Sequence, residues 1–275
     1  MSKECSHDCS SCASKGSCSD PASMKAKANA KSKVKRVIAV MSGKGGVGKS
    51  LVTEMLAVGA LNRGLKVAVL DADITGPSIP TAFGVYEHAR ADADGSIYPS
   101  KSQGGVSIMS LNLVVDHPED PVVWRGPILA GVVRQFWTDV AWGDADVMFV
   151  DMPPGTGDVP LTVFQSLPVD GVVVVTTPQD LVSMIVEKAV RMAGMMKMNV
   201  LGIVENMSSF TCPDCGRTHR IFGESNLAEL AAEYKIAATA ELPIDPKIAG
   251  LVDHGLVEQA ETKSLDGILD AVLKV

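Results

Sequence analysis

A glycine-rich octapeptide near the start of the chain constrains the fold more than any other feature. Residues 43–50 read Gly-Lys-Gly-Gly-Val-Gly-Lys-Ser and fit the pattern G-x-x-x-x-G-K-[ST]. An apolar run, residues 37–41, precedes them, and a helical pattern follows. A phosphate-binding loop needs this setting, because the strand positions the loop and the helix N-terminus supplies positive potential to an anion. The sequence therefore predicts a strand–loop–helix unit that binds phosphate.

Short β-rich runs alternate with helical stretches along the rest of the chain, a pattern typical of a parallel sheet covered on both faces. We therefore predict an α/β fold, a three-layer P-loop NTPase fold with helices on both faces of a mostly parallel sheet of about seven strands. The predicted strands are residues 37–41, 67–70, 106–111, 147–150, 171–177, 200–204 and, more weakly, 237–242. The predicted helices are residues 49–63, 127–141, 179–197, 224–234 and 264–274.

The chain divides into two parts by composition. Residues 1–34 contain almost no large apolar side chains, so we expect a flexible, cysteine-rich metal-binding arm with a basic linker. Residues 35–275 have the length and apolar content for one P-loop ATPase domain with a single large core.

Charge and hydropathy restrict the partners. The net charge is −7, yet residues 1–34 carry six Lys against three acidic residues, so the remaining body is more acidic than the whole chain and argues against nucleic-acid binding. No apolar run is long enough to span a membrane, and the N-terminus lacks the apolar segment of a secretory signal. We expect a cytoplasmic protein that binds neither nucleic acid nor membranes.

The loop itself assigns the first site residues. Its glycines let the backbone approach phosphate closely, Lys49 reaches the terminal phosphates of ATP, and the Ser50 hydroxyl is placed to bind Mg²⁺. The residues of this segment predicted to contact the nucleotide are Gly43, Lys44, Gly45, Gly46, Val47, Gly48, Lys49, Ser50 and Leu51.

Aspartates follow two of the predicted strands. Asp71 and Asp73 come directly after residues 67–70, at the sheet edge where ligands bind in open α/β folds. Asp151 follows residues 147–150 and is predicted to hold Mg²⁺ with Ser50. Asp73, in a loop that resembles a switch, is the candidate for orienting the attacking water, whereas Asp71 is equally compatible with a helix cap.

Cys212 and Cys215 form a C-x-x-C pair. In a reducing compartment such a pair is a metal or redox site rather than a structural disulfide. Iron–sulfur clusters and structural zinc both take four ligands, so the pair needs two more, and a symmetry mate supplies them most simply. The spacing alone does not separate the two metals.

Four further cysteines, Cys5, Cys9, Cys12 and Cys18, lie in the arm. They make a complete ligand set within one chain, and a second iron–sulfur cluster is the favoured interpretation. Zinc and an unmetallated arm remain alternatives.

Several motifs together resemble a known family. They are the P-loop with its early lysine, Asp-Ala-Asp-Ile-Thr-Gly-Pro-Ser (71–78), Trp-Arg-Gly-Pro (124–127), Asp-Met-Pro-Pro-Gly-Thr-Gly-Asp (151–158), Glu-Asn-Met-Ser (205–208) and Cys-Pro-Asp-Cys-Gly (212–216). Over residues 35 to 260 the chain is similar to the Mrp/ApbC/Nbp35 iron–sulfur cluster carriers, P-loop ATPases of the MinD/ParA superfamily.

The resemblance implies a homodimer that binds ATP and carries a transferable [4Fe-4S] cluster between its subunits, for delivery to apo iron–sulfur proteins and assembly scaffolds. It implies that Lys44 reaches the partner's nucleotide, that Asn206 reads the adenine edge and that Pro243 lies near the base. The spacing of Cys5 departs from the family pattern, and His7 competes with it as the fourth ligand of the arm.

Two other functions stay open at this point. One is a positioning ATPase of the ParA/MinD kind, against which the acidic body and the organised cysteines count. The other is a zinc-stabilised scaffold dimer whose ATP site is regulatory.

Overall fold

A computed structural model of the protein describes residues 25–74, 76–115, 117, 126–155, 157–178 and 182–274, without the side chains of residues 158 and 182–185. The strands in this part of the chain are Ser32–Val34 (β1), Val37–Met41 (β2), Val67–Asp71 (β3), Arg90–Ala91 (β4), Ile97–Tyr98 (β5), Ser100–Lys101 (β6), Ser107–Met109 (β7), Gly143–Ala145 (β8), Val147–Asp151 (β9), Gly171–Thr176 (β10), Val200–Thr211 (β11), Thr218–His219 (β12) and Ala238–Ile244 (β13). The helices are Lys49–Asn62 (α1), Ile79–Ala82 (α2), Gly126–Thr138 (α3), Asp158–Ser166 (α4), Val182–Met195 (α5), Leu227–Glu233 (α6), Pro246–Asp253 (α7) and Asp266–Lys274 (α8).

Parallel strands form the central sheet in the order β13–β11–β10–β2–β9–β3–β7. The short strands β6 and β12 add antiparallel pairs with β7 and β11. Because β2 lies between β9 and β10, the loop that follows it opens at the middle of the carboxyl edge of the sheet. Open α/β folds bind their ligands at this edge.

Both faces of the sheet are covered. Ile38 and Val40 of β2 belong to one core, shared with α1 and α8, whereas Ala39 and Met41 belong to a second core with α3, α4 and α5. All four side chains are fully buried. A strand buried on both faces has no polar face, which is why β2 appears in the sequence as an unbroken apolar run.

The predicted α/β fold and its mostly parallel sheet are confirmed, and each predicted strand has a counterpart. The largest difference in length between a predicted and an observed strand is at β11, because the strand predicted for residues 200–204 continues to Thr211 in the structure. Polar residues, among them Glu205, Asn206 and Ser208, conceal this extension in the sequence. No helix in the described part of the chain is long and apolar enough to cross a membrane.

The sequence patterns do not predict α2, α4 and α7. Pro160 falls in the first turn of α4, where proline is tolerated, but the surrounding Pro and Gly residues indicate a loop. Helix α7 does carry a start signal, because Asp245 Oδ1 accepts a 2.8 Å hydrogen bond from the Lys247 amide and Pro246 is the first helical residue. For the predicted helix 179–197, the structure gives α5, and residues 179–181 lie outside the described part.

The last ten residues of the segment predicted as a flexible arm form part of the folded domain. Residues 25–34 pack on the domain: β1 pairs in parallel with β8, and Lys25 Nζ donates to the carbonyls of Phe164 and Leu167 at 2.8 and 2.5 Å. Trp137 Nε1 donates to the carbonyl of Ala26 at 3.0 Å. Backbone pairing and satisfied carbonyls hold this segment despite its low apolar content. Cys5, Cys9, Cys12 and Cys18 lie outside the described residues.

Candidate functional site

The glycine-rich loop joins β2 to α1 and uses backbone conformations that favour glycine. Gly46 and Gly48 have φ of +79° and +80°, in the left-handed region that side chains with a Cβ rarely adopt. Gly48 is also crowded, because a Cβ there would lie 2.1 Å from Asn206 Nδ2. The pattern of glycines is therefore required by both conformation and space.

Lys49 lies at the centre of a buried charge cluster. Its Nζ is 2.7 Å from Asp151 Oδ2 and 3.6 Å from Asp73 Oδ2, and it donates to Ser50 Oγ at 3.2 Å. The Lys49 side chain is 6% exposed and that of Asp151 is 1% exposed. A buried ammonium needs such compensation, and phosphate oxygens are able to take over the same role.

Both carboxylate oxygens of Asp151 accept hydrogen bonds from side chains of α1. Its Oδ2 accepts a 2.7 Å hydrogen bond from Ser50 Oγ, so a hydroxyl and a carboxylate oxygen, the hard donors that Mg²⁺ prefers, are adjacent. Its Oδ1 accepts a 2.7 Å hydrogen bond from Thr53 Oγ1, one turn further along α1. Thr53 thus fixes the orientation of the carboxylate. No sequence motif marks Thr53, although its place on the face of α1 shared with Lys49 is a usable signal.

Asp71 is a buried neighbour of this cluster. Its Oδ2 accepts from Ser110 Oγ at 3.0 Å and its Oδ1 accepts from the Asp73 amide at 3.2 Å. Burial and the nearby charge of Asp151 raise the pKa of Asp71 to about 8, against the opposing effect of Lys49. Asp71 therefore orients the Asp73 segment through its backbone and does not cap a helix here.

Glu54 is a buried carboxyl that sequence analysis does not identify. It is 1% exposed, and its Oε2 has no hydrogen-bond partner. Burial raises the pKa of Glu54 well above its ordinary value; the charges of Asp151 and Asp71 raise it further and that of Lys49 lowers it. An acidic residue within the apolar pattern of α1 is the signal that could have marked it.

We expect Glu54→Met to stabilise the protein in a pH-dependent way. The folded chain binds the Glu54 proton more tightly than the unfolded chain, so the free energy of unfolding falls as pH rises above about 4.3. Removing the carboxyl should raise the free energy of unfolding by about 1–3 kcal/mol at pH 8 and by less at pH 5. Urea denaturation at the two pH values measures this.

The exposed Glu233 provides the control, since Glu233→Met should change the free energy of unfolding by no more than about 0.5 kcal/mol at either pH. A gain from Glu54→Met that is equal at both pH values would contradict a raised pKa.

Asn206 connects the end of β11 to the loop. Its Nδ2 donates to the Val47 carbonyl at 3.0 Å, and the residue is 3% exposed. A cavity of about 570 Å³ opens beside it, and Leu51, Met55 and Pro243 contribute to its lining. The structure thus places three predicted contacts, Leu51, Asn206 and Pro243, around one cavity next to the loop, with a size and position that suit a base.

Lys44 lies on the outer surface of the loop. It is exposed, and its carbonyl accepts a 2.9 Å hydrogen bond from Ser42 Oγ. Gly43 and Gly45 flank it, and a Cβ added at Gly45 would lie 3.9 Å from the ring of Pro154. The lysine is therefore on the side of the loop that solvent or another protein can reach.

Cys212 and Cys215 occupy a tight turn in the hairpin between β11 and β12. The Gly216 amide donates to the Cys212 carbonyl at 2.9 Å, and Gly216 has φ of +68°. Backbone amides of Cys215 and Asp214 donate to the Cys212 thiol and lower its pKa. Such donors favour the thiolate, which is the form that binds metal.

The structure brings together the nucleotide residues but not a complete metal site. Lys49, Ser50, Asp73 and Asp151 form one cluster, while Cys212 and Cys215 are separate from it, in a hairpin where Cys215 is exposed. Among the described residues, no group of three or more His, Cys, Asp or Glu side chains is placed to hold a metal ion. The described part of one chain therefore supplies two thiol ligands and no more.

Comparison with known proteins gives a consistent family. The family model described as "ParA: NUBPL iron-transfer P-loop NTPase" matches residues 33–274. An iron-sulfur cluster carrier protein of Methanococcus maripaludis is 41% identical over 262 residues, which cover 93% of this chain and 91% of that protein. A cytosolic Fe-S cluster assembly factor of Kluyveromyces lactis is 40% identical over 228 residues, which cover 80% of each chain.

A solved structure is similar over most of the chain. It is a nucleotide-binding protein from Archaeoglobus fulgidus in complex with ADP, in which cobalt was found. The two chains are 45% identical with a TM-score of 0.76, and the match covers 85% of this chain and 91% of that chain.

Proposed function

Because the chain belongs to the ParA family of NUBPL iron-transfer P-loop NTPases, we propose that it carries iron–sulfur clusters of the [4Fe-4S] type and hydrolyses ATP in doing so. The single observation that carries the proposal is the presence, in one chain, of an assembled P-loop cluster and a C-x-x-C pair held in one tight turn. The relatives described as cluster carriers and assembly factors support the same function.

The geometry supports ATP binding in a defined orientation. The phosphates would lie against the loop of residues 43–50, with Lys49 exchanging Asp151 for phosphate oxygens, and the base would enter the cavity beside Asn206 and Pro243. Ser50 and Asp151 would hold Mg²⁺, whose charge offsets that of the phosphates.

Hydrolysis requires an oriented water and compensation of charge on the transferring phosphoryl group. Asp73 has its carboxylate 3.6 Å from Lys49 Nζ and is 15% exposed, so it borders the place where that group would lie. We assign it the water-orienting role. Lys49 supplies positive charge from within the chain, and Lys44 supplies it across a dimer to the partner's nucleotide.

The cluster is the cargo, and Cys212 and Cys215 are its ligands in this proposal. Two thiolates per chain are half of a four-ligand set, so a homodimer with the cluster on its two-fold axis completes the site. The exposed position of Cys215 suits a cluster that is passed on to apo iron–sulfur proteins and assembly scaffolds. The K. lactis relative is described as cytosolic, and we propose a cytoplasmic location for this chain too.

Anaerobic purification with metal and sulfide analysis tests the proposal. A dimer with one [4Fe-4S] cluster on the pair should be brown, with a broad visible absorption, an electron paramagnetic resonance signal on reduction, and about four irons and four sulfides beyond those of the N-terminal arm. The matched sample is the quadruple variant of Cys5, Cys9, Cys12 and Cys18 to serine, which isolates the pair. A colourless variant with stoichiometric zinc would reject the carrier function in favour of a zinc-stabilised scaffold.

A further inference from the structure

Strand β11 joins the two proposed sites within one protomer. Asn206, in the middle of the strand, donates to the Val47 carbonyl of the nucleotide loop, and the strand ends at Thr211, directly before Cys212. The six Cα–Cα steps from Asn206 to Cys212 span no more than about 22 Å. A displacement at one end therefore has a short covalent route to the other.

A bulge interrupts the strand between these ends. Against β13, Asn206 is opposite Leu242 and Phe210 is opposite Ile244, so four steps along β11 match two along β13. Met207, the residue after Asn206, has φ of +58°. Few residues other than glycine adopt this conformation, and it persists only where the surrounding structure holds it.

The bulge is held by a specific contact. Ser208 Oγ is buried and donates to the Leu242 carbonyl at 3.1 Å, across the point where the ladder is broken. Bulges of this kind re-aim neighbouring side chains at functional sites. Here the side chain preceding the bulge is Asn206, so the bulge determines how Asn206 meets the nucleotide loop.

A second connection ties the cysteine hairpin to the strand beside the base cavity. Arg220, just after β12, places Nη1 3.7 Å from Glu241 Oε2 of β13 and Nε 3.3 Å from Glu224 Oε2. Glu241 precedes Pro243 of the base cavity by two residues. The hairpin is thus connected to β13 by an ion pair, in addition to its covalent continuity with β11.

Buried polar atoms next to the bulge point to a second arrangement. Glu205 and Thr176 are opposite each other on β11 and β10, and each is 2% exposed. Glu205 Oε1 and Thr176 Oγ1 have no hydrogen-bond partner. Unsatisfied buried groups are costly, so a small shift of β11 that paired this hydroxyl with this carboxyl would recover a hydrogen bond.

We propose that the Met207 bulge is the coupling element between nucleotide and cluster, with Arg220 as its second tether. Nucleotide that engages Asn206 shifts the bulge, and the bulge re-positions Cys212 and Cys215; cluster binding acts through the same segment in reverse, as thermodynamic linkage requires. The inference rests on the proposed function, because it takes both ligands as given.

The test compares nucleotide affinity in loaded and cluster-free dimers of the full chain. Anaerobic calorimetry with Mg²⁺ and the nonhydrolysable analogue AMPPNP gives two dissociation constants, and their ratio measures coupling. We expect a ratio of about five-fold or more in the natural protein. In Met207→Gly, glycine adopts the left-handed and extended conformations with similar ease, so the bulge no longer transmits a shift from one site to the other. The ratio should therefore fall to about one, while the iron content and the affinity of the cluster-free dimer for AMPPNP stay unchanged.

Lys235 offers a matched control, because it has φ of +57° at the end of α6, where it belongs to neither proposed site. Lys235→Gly should keep the full ratio. Arg220→Gln, at an exposed position that tolerates substitution, should lower the ratio at least about two-fold, whereas Arg217→Gln should leave it unchanged. If Met207→Gly does not fold, these two variants test the coupling in its place.

An unchanged ratio of dissociation constants in Met207→Gly would overturn the inference; if that variant does not fold, an unchanged ratio in Arg220→Gln would do so. The inference would also fail if the natural protein holds its cluster and binds AMPPNP with equal affinity in the loaded and cluster-free states. The carrier function would survive these results. A chain that lacks a cluster on the pair, or that does not bind AMPPNP, would instead refute the proposed function, and the inference with it.

Discussion

Replacing both Cys212 and Cys215 with alanine is expected to remove the shared cluster completely. Each chain would lose its two thiolate ligands, and no other described group of His, Cys, Asp or Glu side chains is placed to replace them. Iron should fall by about four per dimer, and the dimer should weaken because the metal no longer links its halves. Anaerobic iron and sulfide analysis with analytical ultracentrifugation measures both effects.

The same double variant should remain folded and bind ATP with an affinity within about two-fold of that of the cluster-free natural protein. The hairpin is exposed and contributes no side chain to the Lys49 cluster or to either core, so its loss leaves the nucleotide site intact. The reciprocal variant, with Cys5, Cys9, Cys12 and Cys18 replaced, should keep the shared cluster. Unchanged iron after mutation of Cys212 and Cys215 would assign all metal to the arm.

Asp73→Asn is expected to lower the rate of ATP hydrolysis by about 10²-fold or more, with little change in ATP affinity. The amide keeps the shape of the carboxylate but loses its negative charge and its ability to accept a proton from water. Lys49 keeps its shorter ion pair with Asp151 at 2.7 Å, so the loop should remain assembled. Steady-state phosphate release and calorimetry with AMPPNP separate turnover from binding.

Asp144 is a suitable control because it lies in β8, directly before β9 begins, at the opposite edge of the sheet from Asp151. It forms an exposed ion pair with Lys66 at 3.7 Å. Asp144→Asn should leave both turnover and affinity unchanged. A rate for Asp73→Asn within about three-fold of the natural rate would show that another group orients the water.

Much of the nucleotide site could be predicted from sequence because its residues follow motifs with local physical causes. Glycines at positions 46 and 48 mark a backbone that needs positive φ, and Asp151 follows a short unbroken apolar run that is typical of a buried strand. Both the loop that leads to Lys49 and Asp151 come at the carboxyl ends of predicted parallel strands. Because such strands end at the same edge of the sheet, the sequence predicts that Lys49 and Asp151 lie close together.

The supporting residues could not be predicted in this way. Thr53 and Glu54 lie within a helix whose pattern indicates only that it is buried, and their roles depend on which strand packs against it. The packing of residues 25–34 likewise depends on carbonyls that the end of α4 leaves available to Lys25. These are contacts between segments distant in sequence.

The sequence by itself determined the strand–loop–helix unit, the strand-end aspartates and the division of the cysteines into an arm and a pair, because each depends on residue type at short spacing. Only the tertiary structure decided that β11 continues from Asn206 to Thr211, directly before Cys212, through a left-handed Met207. Backbone pairing with β13 imposes that bulge, and register between strands leaves no trace in the local order of residues.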